Sequence, residues 1–468
     1  TATLKLTEGS YLYTNNEGSL NIHRGSTIIV EKGAELVIDG TSLTMMSESN
    51  LVIKKGGILR FRNNANLVFE GDGCELTLQG TIINDENAIS KIFHGSDSST
   101  IANIEIVGID AKIDNKTNSK LTLLGNNLMM FNEDSKCSII GAGKFNITEG
   151  TVHFDPESIL YQTSYIQITN SSINGSNLGN WKSKNILRII KCNWDRVRMN
   201  SSNARLFLYE NNLSRAIINL NNTTFNVSNC NFYYSIFKSI EHAGANHFSG
   251  NIIESEYGIM GAAVEFISGT PVNIQENIFS EGELGLILDN SKSTLKCNRF
   301  SGFDVALTLR GKNTTYMSPE TGGGYNIFED NGLHLDFECS QTPSIHQGKN
   351  IFGTFGTFCF SGTLKINCNN IFNLEGNNFN TTQSGFNIYN CNPNCLSTSI
   401  ITSINLSEEI VISCNEDNTT TSDDGKKVNL EDLGFDLLGR EVTIEDNGSG
   451  VYFKRRNDGQ IYKYLKLD

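Results

Sequence analysis

The stretch His334-Leu-Asp336-Phe-Glu338 is the densest group of residues able to do chemistry in this chain of 468 residues. Leu335 and Phe337 alternate with the three polar residues, so on a strand His334, Asp336 and Glu338 share one outer face. Aligning the motifs on either side brings Arg310 beside Glu338, Thr308 beside Asp336 and Asp289 beside Arg310. Carboxylates, an imidazole and a guanidinium gathered in this way could serve as acid and base on a glycosidic bond, or hold calcium through oxygen ligands. The bland reading of Asp289, Arg310, His334, Asp336 and Glu338 is a charge ladder with Arg310 between two acids. Each cross-strand pair of that kind is worth roughly 0.2–1 kcal/mol. The ladder is preferred, so no catalytic residue and no cofactor is assigned; calcium is the one ion the cluster would suit.

That alignment depends on a repeated motif, Asn-x-Phe followed by apolar residues seven and nine places on. It occurs as Asn277-Ile-Phe279 with Leu286 and Leu288, and as Asn298-Arg-Phe300 with Leu307 and Leu309. Asn326-Ile-Phe328 follows with Leu335 and Phe337, and Asn377-Asn-Phe379 with Phe386 and Ile388; Asn350-Ile-Phe352 is a further copy. Successive Phe residues stand 21, 28 and 24 apart, so the phase within a copy is fixed while the length between copies varies. Stacked strand coils behave this way when insertions are confined to their turns. Asn is expected at the turn, where it tolerates left-handed backbone angles, with its side chains laddered and the aromatics piled inside. Weaker copies lie upstream at Cys192-Asn-Trp194, Asn211-Asn-Leu213, Cys230-Asn-Phe232 and Asn251-Ile-Ile253.

The first ~100 residues carry short strands such as Ser26–Val30, Glu35–Ile38, Asn50–Ile53 and Asn66–Phe69, most of them closed by Gly33, Gly40, Gly56 or Gly71. Five prolines in the whole chain fit a ladder that uses nearly every backbone N–H. The expected fold is all-β: a right-handed parallel β-helix over residues 1–415, followed by a small antiparallel unit. A β-sandwich or propeller does not account for the constant phase.

Net charge is −14, from 37 basic and 51 acidic residues, with no basic block; nucleic acid and anionic membrane are poor partners. No apolar run approaches the length needed to span a bilayer. The chain opens at Thr1, which reads as a processed secreted protein or a trimmed chain. Eleven cysteines lack a zinc-site spacing. Cys192, Cys230 and Cys297 beside the repeat Asn read as small buried hydrophobes, with disulfides, Cys391–Cys395 the most local, as the alternative near the end. His242 and His247 have no ligand partners and read as surface or turn residues. Gly322-Gly-Gly324 lacks the Lys-Ser/Thr of a phosphate loop. The many Asn-x-Ser/Thr triplets are expected by chance in so polar a chain.

After Cys414 the composition shifts. Residues 416–427 are acidic and polar, a linker. Beyond them Phe435-Asp436-Leu-Leu-Gly439-Arg440-Glu-Val442, Gly450-Val-Tyr452-Phe453 and Gly459-Gln-Ile-Tyr-Lys463-Tyr-Leu-Lys466 read as three short strands, a unit over 428–468. This tail resembles the C-terminal sorting domain of cargo of the type 9 secretion system of Bacteroidetes. There an Asp-x-x-Gly-Arg strand, a Gly-x-Tyr strand and a Lys-containing strand follow in this order. Asp436, Gly439, Arg440, Gly450, Tyr452, Lys463 and Lys466 match it, over about 40 of 468 residues. The family's usual opening Asn-Pro strand has no counterpart, since no Pro follows Pro393. The resemblance implies export across the outer membrane, with the translocon and its shuttle proteins as partners and the cell surface or medium as destination. The reading that follows is a non-enzymatic surface β-helix, adhesin-like or part of a surface gliding-motility apparatus, that contacts a surface glycan or protein. Its rival is an extracellular polysaccharide lyase or hydrolase working at the 289–338 cluster.

Overall fold

A four- or five-residue strand that is apolar at every second position cannot bury that face alone. In Thr27–Val30 the buried residues are Ile28 and Val30, and in Ile58–Arg62 they are Leu59 and Phe61, while the alternate positions stay half-exposed. Such strands obtain cover from other strands of their own coil and hydrogen bonds from neighbouring coils. The protein, seen in a computed structural model, is accordingly a parallel β-solenoid, all-β among the described residues. These are 2–15, 18–95, 102–175, 180–257, 262–311, 313–317, 326–338, 344–347, 351–352, 357–361, 378–379, 387–389, 433–436, 441–443, 450–455 and 461–466. By contacts they fall into two units: Thr1–Asn246 with Ile253–Glu256 and Ala262–Thr270, and His247–Ile252 with Tyr257–Gly261 and Pro271–Asp468.

In the first unit each coil carries three strands, each paired in parallel with its counterpart in the next coil. One inward row runs Ile28, Leu51, Leu76, Ile104, Met129 and Val152, then Ile173, Trp194, Leu213 and Phe232. Another runs Leu43, Leu67, Ile92, Leu123, Ile147, Ile168, Ile189, Leu208 and Val227. The glycines anticipated at strand ends take positive φ, 77° at Gly56 and 75° at Gly33. Gly80 serves close approach instead, since a Cβ there would stand 2.4 Å from the Gly57 carbonyl oxygen.

Where the coil is 19 residues long, its three corners each hold one left-handed residue. Lys191, Glu210 and Asn229 stack at one corner, Arg196, Arg215 and Tyr234 at the second, Asn203, Asn222 and Glu241 at the third. The corner N–H groups keep the parallel ladder going: Lys191 donates to the Tyr209 carbonyl and Arg215 to that of Tyr233, both at 2.9 Å. The repeat Asn does not make this turn. Positive φ falls one residue earlier, at Gly250, Glu276 and Cys297, and Asn251, Asn277 and Asn298 turn their amides into the buried interior.

In the second unit Phe279, Phe300, Phe328, Phe352 and Phe379 stand in register, as the motif phase requires. The rings of Phe279 and Phe300 stack with centroids 4.6 Å apart, and those of Phe300 and Phe328 at 4.8 Å, the natural spacing of paired strands. Leu286, Leu307, Leu335 and Phe358 form the first row of apolar partners. Ile388, expected in the second row, pairs with Phe358 and so stands in the first.

The last strands form a separate antiparallel sheet in the order Glu441–Thr443, Leu433–Asp436, Gly450–Arg455 and Ile461–Lys466. The anticipated first strand over 435–442 is two strands, Leu433–Asp436 and Glu441–Thr443, paired antiparallel. The expected boundary at 415 and linker over 416–427 lie outside the described residues.

Cysteine follows position in the motif. Cys192 and Cys230 occupy the buried site that Asn211 fills in the coil between them; Cys74 and Cys137 are also free and buried. Burial pushes the Cys137 thiol up to about 12 and those of Cys192 and Cys230 to about 11, as expected of inert packing residues. Cys297 departs from the expectation. It sits one residue earlier, at the corner, and is disulfide-bonded. Cys391 and Cys395 lie outside the described residues.

Candidate functional site

Strands Ile278–Asp289, Arg299–Arg310 and Leu333–Glu338 are parallel neighbours. Their register sets Asp289 against Arg310, Arg310 against Glu338 and Thr308 against Asp336, the three pairings that motif alignment anticipates. The faces differ from the expectation. Asp336 is only 9% exposed, Thr308 2% and Ile287 3%, so this row is covered although Leu286 and Leu288 fill the opposite face. Both faces are buried over residues 285–288 and 306–309, which the unbroken apolar run Leu286-Ile287-Leu288 signals and strict alternation overlooks. The row left accessible is that of Asp289 and Arg310, both half-exposed; the Asp289 carboxylate accepts a hydrogen bond from Asn290 Nδ2 at 2.7 Å. The side chains of His334 and Glu338 lie outside the described residues. Among the described residues no group of three or more His, Cys, Asp or Glu is placed to hold a metal ion.

A groove of about 580 Å³ opens on the first unit, within the range of ligand sites. Two outward rows of side chains build it. In the first, Tyr161, Lys182, Asn200 and Asn219 face one another across successive coils. The second lies two residues further along each strand and holds Thr163, Lys184, Ser202 and Asn221, with Ser202 and Asn221 in direct register. The Lys184 N–H is tied to the Gln162 carbonyl at 2.9 Å, which fixes the backbone at the groove wall. Lys182 Nζ lies 5.3 Å over the Tyr161 ring, and Asn219 Nδ2 donates to Asn200 Oδ1 at 3.1 Å. Among the described residues no carboxylate lines the groove. Next in the first row comes Lys238, neutralised by Glu265 at 2.7 Å, so the uncompensated positive charge belongs to Lys182 and Lys184. The sequence indicates Asn, Ser and Thr on the outside of these coils but not the lysines: a step of 19 residues back from Asn200 lands on Trp181, whereas the observed partner is Lys182, 18 residues back.

Two further clusters lie outside the expected site. Arg60 bridges Glu35 and Asp85 (2.7 Å to the latter), and Arg62 joins the same Asp85 at 2.7 Å. Burial pulls the Arg60 pKa down, but its bonds to Glu35 and Asp85 outweigh this and raise it. Such a closed network of opposite charges is structural. Glu105 stands opposite Thr77, on the strand next to that of Glu75; burial, then the Glu75 charge, raises its carboxyl pKa. His242, expected at a surface or turn, is buried edge-on between Phe225 and Phe266. Its neighbour in the expectation, His247, is exposed.

In the tail, backbone register brings Asp436 against Tyr452, Gly450 against Lys466 and Lys463 against Phe453. Gly439 and Arg440 lie outside the described residues. No helix among the described residues is long and apolar enough to cross a membrane. No protein-family model and no curated protein matches this chain.

Proposed function

We propose that this β-solenoid is a non-catalytic contact protein of the bacterial surface, exported by a type 9 system through its C-terminal strands. The observation that carries the contact role is the pair of outward rows at Tyr161–Asn219 and Thr163–Asn221. There, cations, amides and a phenol stand in register on a frame locked by backbone ladders. A pre-ordered surface loses little entropy on binding, which suits it to hold an extended partner. Export is supported by the motif residues Asp436, Gly450, Tyr452, Lys463 and Lys466, which fall on the strands of the terminal sheet. Deleting residues 428–468 tests it: the truncated chain should accumulate in the periplasm, and normal secretion would refute the sorting role.

A second reading, a polysaccharide lyase or hydrolase, draws on the row Asp289–Arg310–Glu338. The Asp336→Ala, Glu338→Ala double variant separates the two. Loss of glycan cleavage with the fold intact would establish the enzyme and overturn the non-catalytic reading.

A further inference from the structure

We infer that the groove on the first unit binds a linear, carboxylate-bearing glycan, a polymer of uronic acid residues, laid along the coil axis. The inference rests on the surface-contact reading and names its ligand class. Three features of the groove select this chemistry.

The first is charge. Lys182 and Lys184 are exposed, stand two residues apart on one face, and have no acidic partner among the described residues. In a chain of net charge −14 this local excess attracts an anion only at short range, because the wider field repels it and salt screens beyond about 8 Å. A sparsely charged polymer satisfies that condition. Nucleic acid, with one charge per ~1.7 Å of duplex axis, needs many more cations than two.

The second is hydrogen-bonding character. Asn221 carries both a donor and an acceptor, Asn219 keeps its amide oxygen beyond its bond to Asn200, and Ser202 adds a hydroxyl. Sugar hydroxyls need that mixture. A phosphate would be better served by forked guanidinium donors, and none lines the groove.

The third is spacing. Coils succeed one another at about 4.8 Å, close to the length of one sugar ring, so the rows present one polar side chain per ring of an extended chain. Lys182 is steadied against the Tyr161 ring, 5.3 Å from its centroid, which lowers the cost of ordering a long side chain at the head of the row.

The test uses the purified full-length chain and three probes: alginate as uronate polymer, dextran as neutral glycan and polyaspartate as acidic peptide. Alginate should bind, weaken as NaCl rises, and lose about tenfold in affinity in Lys182→Ala/Lys184→Ala, as expected for two exposed charge contacts. Lys54→Ala, an exposed lysine elsewhere, serves as control and should bind as wild type. Circular dichroism confirms that each variant is folded. Unchanged alginate affinity in the double variant overturns the site, and equal binding of dextran overturns the charge argument. Tighter binding of polyaspartate replaces the glycan with an acidic peptide. Cleavage of alginate by a chain that still needs Lys182 and Lys184 would refute the non-catalytic reading while leaving the groove standing.

Discussion

Asn277 and Asn298 are joined twice: the Asn298 side-chain oxygen accepts both the Asn277 backbone N–H at 3.1 Å and the Asn277 Nδ2 at 2.9 Å. Asn251 bonds to Asn277, and Asn298 to Asn326, in the same double fashion. The second amide hydrogen of Asn277 reaches the Phe248 carbonyl and that of Asn298 the Ile274 carbonyl. Each fully buried amide is thus satisfied at all its positions, a requirement for polar groups away from water. The ladder stabilises the stack and sets its register, since sliding one coil would strand the whole row.

Asn298→Ala should therefore cost about 3 kcal/mol or more, because it leaves two Asn277 donors and the Ile274 carbonyl buried without partners. Repeat arrays lose stability locally, so hydrogen exchange at the Asn277 amide should accelerate more than exchange at Leu51 or Leu76. Equal acceleration along the chain would show that this ladder does not act on its neighbours.

Phe300→Ala removes the middle ring of the Phe279–Phe300–Phe328 stack, where adjacent planes tilt by 9° and 6°. The expected loss is about 3–5 kcal/mol from the cavity. Phe300→Leu should lose clearly less. A urea titration that finds Phe300→Ala within 1 kcal/mol, an order-of-magnitude bound for exposed sites, would place Phe300 outside the core.

The motif made the second unit legible because one phase fixes both the aromatic stack and the pairing of Asp289, Arg310 and Glu338. It did not reveal that Asp336 is covered. Alternation tells inside from outside only when one face of a strand is open, and Ile287 and Thr308 pair across two neighbouring strands whose faces are both buried at that point. The groove was hidden for another reason. The strand that carries Lys182 belongs to a coil whose inward residue is Trp181, stacked on Met199 without an Asn-x-Phe copy to mark it. The second corner of the 19-residue coils was likewise invisible, since its left-handed position is filled by Arg196, Arg215 and Tyr234 rather than by Gly or Asn.

Those corners carry a stability prediction. Arg215 holds φ near 52°, where an L side chain costs roughly 1 kcal/mol, and its side chain is exposed. Arg215→Gly should raise stability by a few tenths of a kcal/mol to about 1, while Arg215→Val should lower it, because a branched Cβ suits that region least. Urea midpoints in the order Gly, Arg, Val check this; the reverse order would contradict the corner geometry.

His242 links the core to pH. It is buried among Phe225 and Phe266, and neither ring nitrogen reaches a hydrogen-bond partner. Burial lowers its pKa from 6.5 to about 4, with weak opposition from the backbone of Thr270 and Ser239. The folded value lies below the unfolded one, so the unfolded chain takes up the proton first as pH falls. The neutral ring's contribution is complete above pH 6.5 and drains away between 6.5 and 4, in total about 3 kcal/mol. His242→Phe keeps an aromatic of similar size in the cluster and cannot be protonated. Its stability at pH 7 should stay within about 1.5 kcal/mol of wild type, and its decline from pH 6.5 to 4 should be shallower by roughly the His242 share. Urea unfolding at half-unit pH steps gives both curves; parallel curves would mean that His242 exchanges its proton as freely in the folded chain as in the unfolded one.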